Sequence, residues 1–253
     1  MNRNQLLAMW RFEERFPFGG WDFSHLDGRW QREPLPWDYL EEARALLRPN
    51  ARLLELDAGD GANLLSLRHP YELCAVTEYY GPDYEACVSA LAPLGVRVAR
   101  CDADREPLPF PDNSFDLILC RHGGYQRDEL FRALRPGGLF ITEQVGLRNN
   151  RALAKRLLPD YEPAFPEHDL RRAAQAFCNA GFTVLRGEEY FPKLRFLDVG
   201  ALVYYAGVVP WEFPGFSVER CGRELLCLEA EREERGGVDS IEHLFFLVAQ
   251  KAG

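Results

Sequence analysis

The sequence predicts an α/β protein with a mostly parallel sheet covered by helices on both faces. Three observations predict it. Short apolar runs alternate with helical stretches of about ten residues through the middle of the chain. One of these runs empties into a small-residue turn that opens a helix. The runs carry few polar residues, as strands buried on both faces must.

The elements follow in order. A helix is expected over 37–47, with Tyr39, Leu40, Ala43, Leu46 and Leu47 on one face and Pro49-Asn50 ending it. The first strand is 52–56, and a helix opens over 61–67. The second strand is 72–77, followed by a helix at 84–94, and the third strand is 96–100. The fourth, 115–120, is apolar except for Asp116. A helix at 128–134 should stop at Pro136-Gly137-Gly138, ahead of a fifth strand at 139–144. A helix at 168–180, with Gly181 at its C-cap, leads to a strand at 183–186. A long insertion, with a charged helix around 219–235, precedes the last strand at 244–249.

At 253 residues the chain is read as one domain, 1–253, carrying two additions. One is an aromatic segment, 1–36, with Trp10, Phe12, Phe16, Phe18, Trp21, Phe23 and Trp30. The other is the insertion 187–240 between the last two strands. Both are expected to form a cap. The bland reading of Trp10, Trp21, Trp30, Trp37, Tyr204 and Trp211 is packing of that cap, because aromatic rings bury large areas. No apolar run reaches the ~18 residues of a membrane span. The start of the chain lacks the pattern of a secretory signal. The seven cysteines are odd in number and lack CxxC spacing, which points to a reducing cytoplasm and away from disulfides or zinc. No metal is expected. A net charge of -9 disfavours nucleic acid as a partner, where cations must neutralise phosphates.

The turn is Arg52-Leu-Leu-Glu-Leu-Asp-Ala-Gly-Asp-Gly-Ala-Asn-Leu-Leu65. Its glycines allow a tight turn and close approach to a ligand, and the helix behind it presents free N–H groups. An acid about twenty residues on, Glu78, stands at a strand end, where it can accept hydrogen bonds from ribose hydroxyls. The bland reading of Glu78 is a solvated strand end. Strand four ends in Cys120-Arg-His-Gly-Gly-Tyr125, a segment expected to face ligands because parallel sheets bind beyond their carboxyl ends. His122 is the candidate general base, since a neutral imidazole titrates near pH ~6.5. Its bland reading is a hydrogen-bonded loop residue. Glu143 and Gln144 are further pocket candidates.

Together these pieces resemble the class I S-adenosylmethionine-dependent methyltransferases of small-molecule type. The resemblance spans roughly residues 50–145 and rests on four stretches. They are Leu53-Leu-Glu-Leu-Asp-Ala-Gly-Asp-Gly61, Glu78, the run Leu108-Pro-Phe-Pro-Asp-Asn-Ser-Phe-Asp-Leu-Ile-Leu119, and Leu134-Arg-Pro-Gly-Gly-Leu-Phe-Ile141. It implies a Rossmann-like seven-stranded sheet of order 3-2-1-4-5-7-6 with the last strand antiparallel. It also implies a methyltransferase using S-adenosylmethionine, with S-adenosylhomocysteine as product and a small-molecule acceptor. The cofactor carries no phosphate, so a full three-glycine loop is unnecessary. Cofactor positions carried over are Glu55, Asp57, Ala58, Gly59, Gly61, Glu78, Asp102, Ala103 and Arg121. Asp102 and the Ala103 N–H would hold the adenine, with Asp104 as competitor for Asp102, and a turn aspartate as the bland alternative.

Two positions depart from the family. Asp57 stands where glycine is usual, and Asn63 stands where close relatives carry an acid. A carboxylate at 57 could pair with the cofactor's ammonium, repel its carboxylate, or close the site. That leaves a non-catalytic binding protein on the same scaffold as a rival reading. A second rival is an RNA methyltransferase using Arg121, Arg127, Arg148, Arg151 and Arg156. A nicotinamide-dependent oxidoreductase ranks last, because its turn should read GxGxxG.

Overall fold

A computed structural model describes residues 1–19 and 21–253; Gly20, within the expected cap segment, lies outside the described residues. In chain order the chain forms α1 (Arg3–Glu13), β1 (Trp30–Arg32), α2 (Tyr39–Leu46), β2 (Leu53–Leu56) and α3 (Ala62–Leu67). Next come β3 (Cys74–Glu78), α4 (Gly81–Leu91), β4 (Arg97–Arg100), β5 (Phe115–Arg121), α5 (Arg127–Ala133) and β6 (Leu134–Val145). The remainder is α6 (Arg151–Leu157), α7 (Leu170–Asn179), β7 (Phe182–Tyr190), β8 (Lys193–Phe196), α8 (Val199–Val208), α9 (Val218–Arg235), β9 (Val238–Ile241) and β10 (Leu244–Lys251). The chain divides into two compact units. One comprises Pro36–Val145, Asp169–Glu189 and Phe245–Gly253, and the other Met1–Leu35, Gly146–His168 and Tyr190–Leu244.

The first unit holds a seven-stranded sheet of order β4-β3-β2-β5-β6-β10-β7. Counting only its own strands in chain order, this is 3-2-1-4-5-7-6, as the resemblance implied. β2 pairs in parallel with β3 (Leu53 opposite Cys74) and with β5 (Leu53 opposite Leu117). All four of its residues are buried. β10 runs against β6: His243, just ahead of β10, accepts from the Gly146 N–H just past the end of β6, whereas Lys251 at its far end donates to the Leu134 carbonyl at the start of β6.

The expected strand and helix positions reappear within a few residues, with one difference. Arg135-Pro-Gly-Gly138 does not separate helix from strand. α5 ends at Ala133, and β6 begins at once at Leu134, opposite Phe115. The register then shifts so that Leu139 faces Leu117, and 135–138 bulge from the ladder. A bulge accommodates the proline and glycines that a regular ladder would reject. Asp116 explains itself here: its carboxylate accepts from Arg52 N (2.8 Å) and from the Arg135 guanidinium (2.7 Å).

The second unit carries a three-stranded antiparallel sheet, β1-β8-β9, with Trp30 opposite Phe196 and Lys193 opposite Ile241. Its core gathers Trp10, Leu26, Phe196 and Phe213 around α8, in which eight of ten residues are buried. Trp10 and Tyr204 pack inside, but Trp21 and Trp211 stay partly exposed, with ring centroids 5.9 Å apart. A buried polar network ties three stretches of this unit together. Asn149 Nδ2 and Asn150 Nδ2 donate to the two Glu212 oxygens (2.7 and 2.9 Å), Asn150 Oδ1 accepts from Ser240, and Asn149 Oδ1 accepts from His243 N.

In the seven-stranded unit Phe140 on β6 is fully buried, with its ring 5.3 Å from Phe177 of α7 and 4.9 Å from Tyr125. Replacing it leaves a cavity that the surrounding strands cannot collapse into. Phe140→Ala is expected to lower the unfolding free energy by about 3–5 kcal/mol, read from urea denaturation followed by circular dichroism.

Candidate active site

The carboxyl ends of β2, β3 and β5 lie side by side, because these strands pair in parallel with little stagger. The chain leaving each end therefore converges on one edge of the sheet. From β2 the turn runs through Asp57 (φ 49°), Gly59 (φ 59°) and Gly61 (φ 83°) into α3. Gly61 is required twice over. Its φ lies in the left-handed region, and a Cβ there would come 2.7 Å from Leu91 Cδ1 of α4. At Gly59 a Cβ would meet nothing within 4 Å, so open space lies over the turn.

Glu78, at the end of β3, holds the turn. One carboxylate oxygen accepts from Gly59 N (2.8 Å) and the other from Tyr79 N and Tyr80 N (2.8 and 2.9 Å). It is a buried side chain with specific partners, rather than a solvated strand end. Ala58 is buried, and its N–H donates to the Thr77 carbonyl. Glu55 is 2 % exposed on β2 and accepts from the Asn63 side chain and the Leu64 backbone, while its Oε2 has no partner. Burial pushes its carboxyl up to about 8, against the opposing pull of the Asn63 hydrogen bond. Asn63, one of the two departures, thus serves as a neutral partner for an already buried acid.

Beyond β4, Asp102 Oδ1 accepts from Asp104 N (3.2 Å), a turn of the kind aspartate favours, and Ala103 is buried between them. Asp57 reaches across to the loop after β5, where its Oδ2 accepts from Gly124 N (2.9 Å). Burial pushes the Asp57 carboxyl up to about 7. The Gly124 hydrogen bond opposes that shift, and the charges of Glu78, Asp102 and Asp104 add to it. Four of the sequence-predicted acids therefore meet at one edge.

The residues after β5 form a second cluster around Glu143, which is 1 % exposed. Its carboxylate accepts from Trp37 Nε1 (2.7 Å) and Arg121 Nε (2.9 Å), with His122 Nε2 at 3.4 Å. Arg121 also lies over the Tyr39 ring, 5.7 Å from its centroid. His122 adopts φ 60°, with its N–H on the Glu143 carbonyl. Gln144 Nε2 donates to the Gly123 carbonyl (3.1 Å) and to Thr142. The loop 123–124 is thus pinned from both sides, by Gln144 through a carbonyl and by Asp57 through an amide. Sequence reasoning placed Glu143 and Gln144 at the pocket but missed their work as anchors. The signal was their place at a buried strand end, where polar side chains need partners.

Among the arginines of the RNA reading, Arg121 pairs with Glu143 and Arg156 with Glu231. Arg148 and Arg151 border, with Lys155 and Phe191, a cavity of about 450 Å³ in the second unit. Among the described residues no cluster of His, Cys, Asp or Glu could hold a metal ion, and no helix is long and apolar enough to cross a membrane.

A glycine turn after the first core strand, an acid closing the second and another past the third are the features of a class I methyltransferase. The sheet order agrees. Residues 54–142 match the family model described as "Methyltransferase domain". Over residues 54–142 the chain thus matches a methyltransferase domain, on a sheet of the Rossmann-like methyltransferase order. Demethylmenaquinone methyltransferase of Thermus thermophilus is 28% identical over 62% of this chain and 83% of that protein. The crystal structure of YcgJ from Bacillus subtilis superposes with a TM-score of 0.56 at 17% identity, covering 85% of this chain and 98% of that one. The [4+2]-cyclase SpnF shares the fold, with a TM-score of 0.51 at 16% identity over 84% of this chain and 79% of that one.

Glu55 gives a stability prediction. Its folded-state proton affinity is raised, so its contribution is favourable at low pH and is lost as pH rises through about 8. Asp57 acts with the same sign through about 7. Urea denaturation should show stability falling from about pH 4 to pH 8 and levelling off above it. Glu55→Gln should match the parent at about pH 4 and exceed it above pH 8 by on the order of 3–5 kcal/mol.

Proposed function

We propose that this protein is a cytoplasmic methyltransferase that moves a methyl group from S-adenosylmethionine to a small-molecule acceptor. The observation that carries the reading is Glu78. It is buried at the end of β3, fixed to the Gly59 amide, and bordered by a turn with open space above it. A carboxylate already oriented by three N–H groups keeps one lone pair, on Oε2, for a ribose hydroxyl. Asp102 and the Ala103 N–H are the candidates for the adenine, one strand further along. The unpartnered Oε2 of Glu55 and the Cβ-free positions of the turn fit a ligand with an amino-acid end.

When bound, the cofactor supplies an electrophilic methyl group on a sulfonium. The protein's part is to hold the acceptor in line with it, which contributes up to ~7–11 kcal/mol toward the barrier. His122, beside the Glu143 carboxylate, is the group offered to take the acceptor's proton. The relative from Thermus is named for demethylmenaquinone, an apolar acceptor, which supports starting an acceptor screen with quinols and phenols. An acidic chain with Arg121 and Arg156 held in ion pairs supports a small acceptor over RNA. Seven free cysteines, five of them buried, support a reducing compartment.

Isothermal titration tests the reading. S-adenosylmethionine and S-adenosylhomocysteine should both bind in the micromolar range, and Glu78→Ala should weaken both at least tenfold. Absence of binding at millimolar ligand, in folded protein, would favour the rival in which this scaffold has lost its cofactor.

A further inference from the structure

Asp57 is both the main departure from the family's turn and the side chain that crosses the site. Its backbone sits at φ 49°, a conformation that aspartate tolerates better than most residues. Its carboxylate bridges the ends of two adjacent strands by accepting from Gly124 N. A Cβ at Gly123 would overlap that carboxylate, so bare backbone is what gives it room. Its neighbours are Glu78 from β3, Asp102 and Asp104 from the loop after β4, and the Cys101 and Cys120 thiols. Arg121, the nearby cation on β5, is committed to Glu143.

A carboxylate with one amide partner, surrounded by three other carboxylates, gains more from a cation than from that amide. We propose that Asp57 selects the cofactor by its amine: the carboxylate exchanges the Gly124 amide for the ammonium of the amino-acid end. The freed Gly124 N–H becomes a donor for the cofactor's own carboxylate, which offsets the repulsion that Asp57 would otherwise exert. The inference rests on the methyltransferase reading and deepens it. It assigns recognition of the amino-acid end to a side chain at a position where the family usually has none.

The exchange requires an ionised Asp57, and burial with its acidic neighbours pushes that carboxyl up to about 7. Affinity for an amine-bearing ligand should therefore rise as pH rises to about 7 and then level off. Titration calorimetry with two probes tests this on the whole chain. S-adenosylhomocysteine carries the amino-acid end, and 5′-methylthioadenosine lacks it. The expected result is a five- to tenfold tightening of S-adenosylhomocysteine between pH 6 and pH 7.5, with methylthioadenosine flat. Asp57→Asn keeps the left-handed turn and an acceptor for Gly124 but carries no charge. It should weaken S-adenosylhomocysteine at least tenfold at pH 7.5, erase its pH dependence and leave methylthioadenosine unchanged. If Asp57→Asn binds S-adenosylhomocysteine as tightly as the parent, or more tightly, the carboxylate is an obstruction and the inference is overturned. Methylthioadenosine binding without any pH response of S-adenosylhomocysteine overturns the inference and leaves the methyltransferase reading standing. Failure of both probes on the parent overturns both.

Discussion

The parallel pairing of β2 on both of its edges is the constraint on which the rest depends. A strand buried on both faces, with β3 on one side and β5 on the other, must end level with its neighbours. Its chain must then turn sharply to enter a helix without crossing them. That geometry demands positive φ at Gly59 and Gly61 and leaves N–H groups at the turn that the strand ladder cannot use. Glu78 satisfies one of them from the next strand. Topology and site are therefore one problem: the residue that closes β3 is also the residue that fixes the turn after β2.

The same edge concentrates like charge. Asp57, Glu78, Asp102 and Asp104 arrive from three strands, and Glu55 lies buried just behind them. Each would be less costly elsewhere. Burial and mutual repulsion raise the proton affinity of Glu55 and Asp57, which means the folded state is held at some expense when they ionise. Strain and unfavourable charge at one edge of an otherwise apolar sheet are what a binding site looks like in energetic terms. The fold, which SpnF shares under the name of a [4+2]-cyclase, does not by itself select the chemistry.

Most of the seven-stranded unit was legible because its signals are local. Apolar runs of four to seven residues broken by glycine and aspartate fall where β2, β3 and β5 lie. The tail of α7 ends at a glycine with φ 89°. The second unit was not legible, for physical reasons. α8 is apolar on every side because it is buried on every side, so it has no 3.6-residue period to detect. β1 and β9 are short strands that exist through pairing with β8, across long stretches of sequence. α1 carries a capping box at Asn2 and Gln5, a local signal that the sequence does contain. In the site, the residue types were readable but not their partners. Nothing local says that Glu143 would gather Trp37, Arg121 and His122, since those contacts depend on tertiary packing.

The second unit has its own version of the same economy. Its chain leaves the sheet after Gly146 and must reverse at Asn149 and Asn150, the second of which sits at φ 48°. Buried polar groups at such a reversal are costly unless every one is answered. Here they are answered by each other. The two amides donate to the two oxygens of Glu212, and their carbonyl oxygens take Ser240 and the His243 N–H. Glu212 is buried among neutral donors, with its proton affinity raised by desolvation and only partly restored by those hydrogen bonds. Removing one member would strand the others in a dry interior, whereas a set of apolar residues would not fix which three stretches meet. The network thus acts on specificity more than on net stability. It gives the chain around Asn149, Glu212 and Ser240 one arrangement, as Glu78 gives one arrangement to the turn at the sheet's edge.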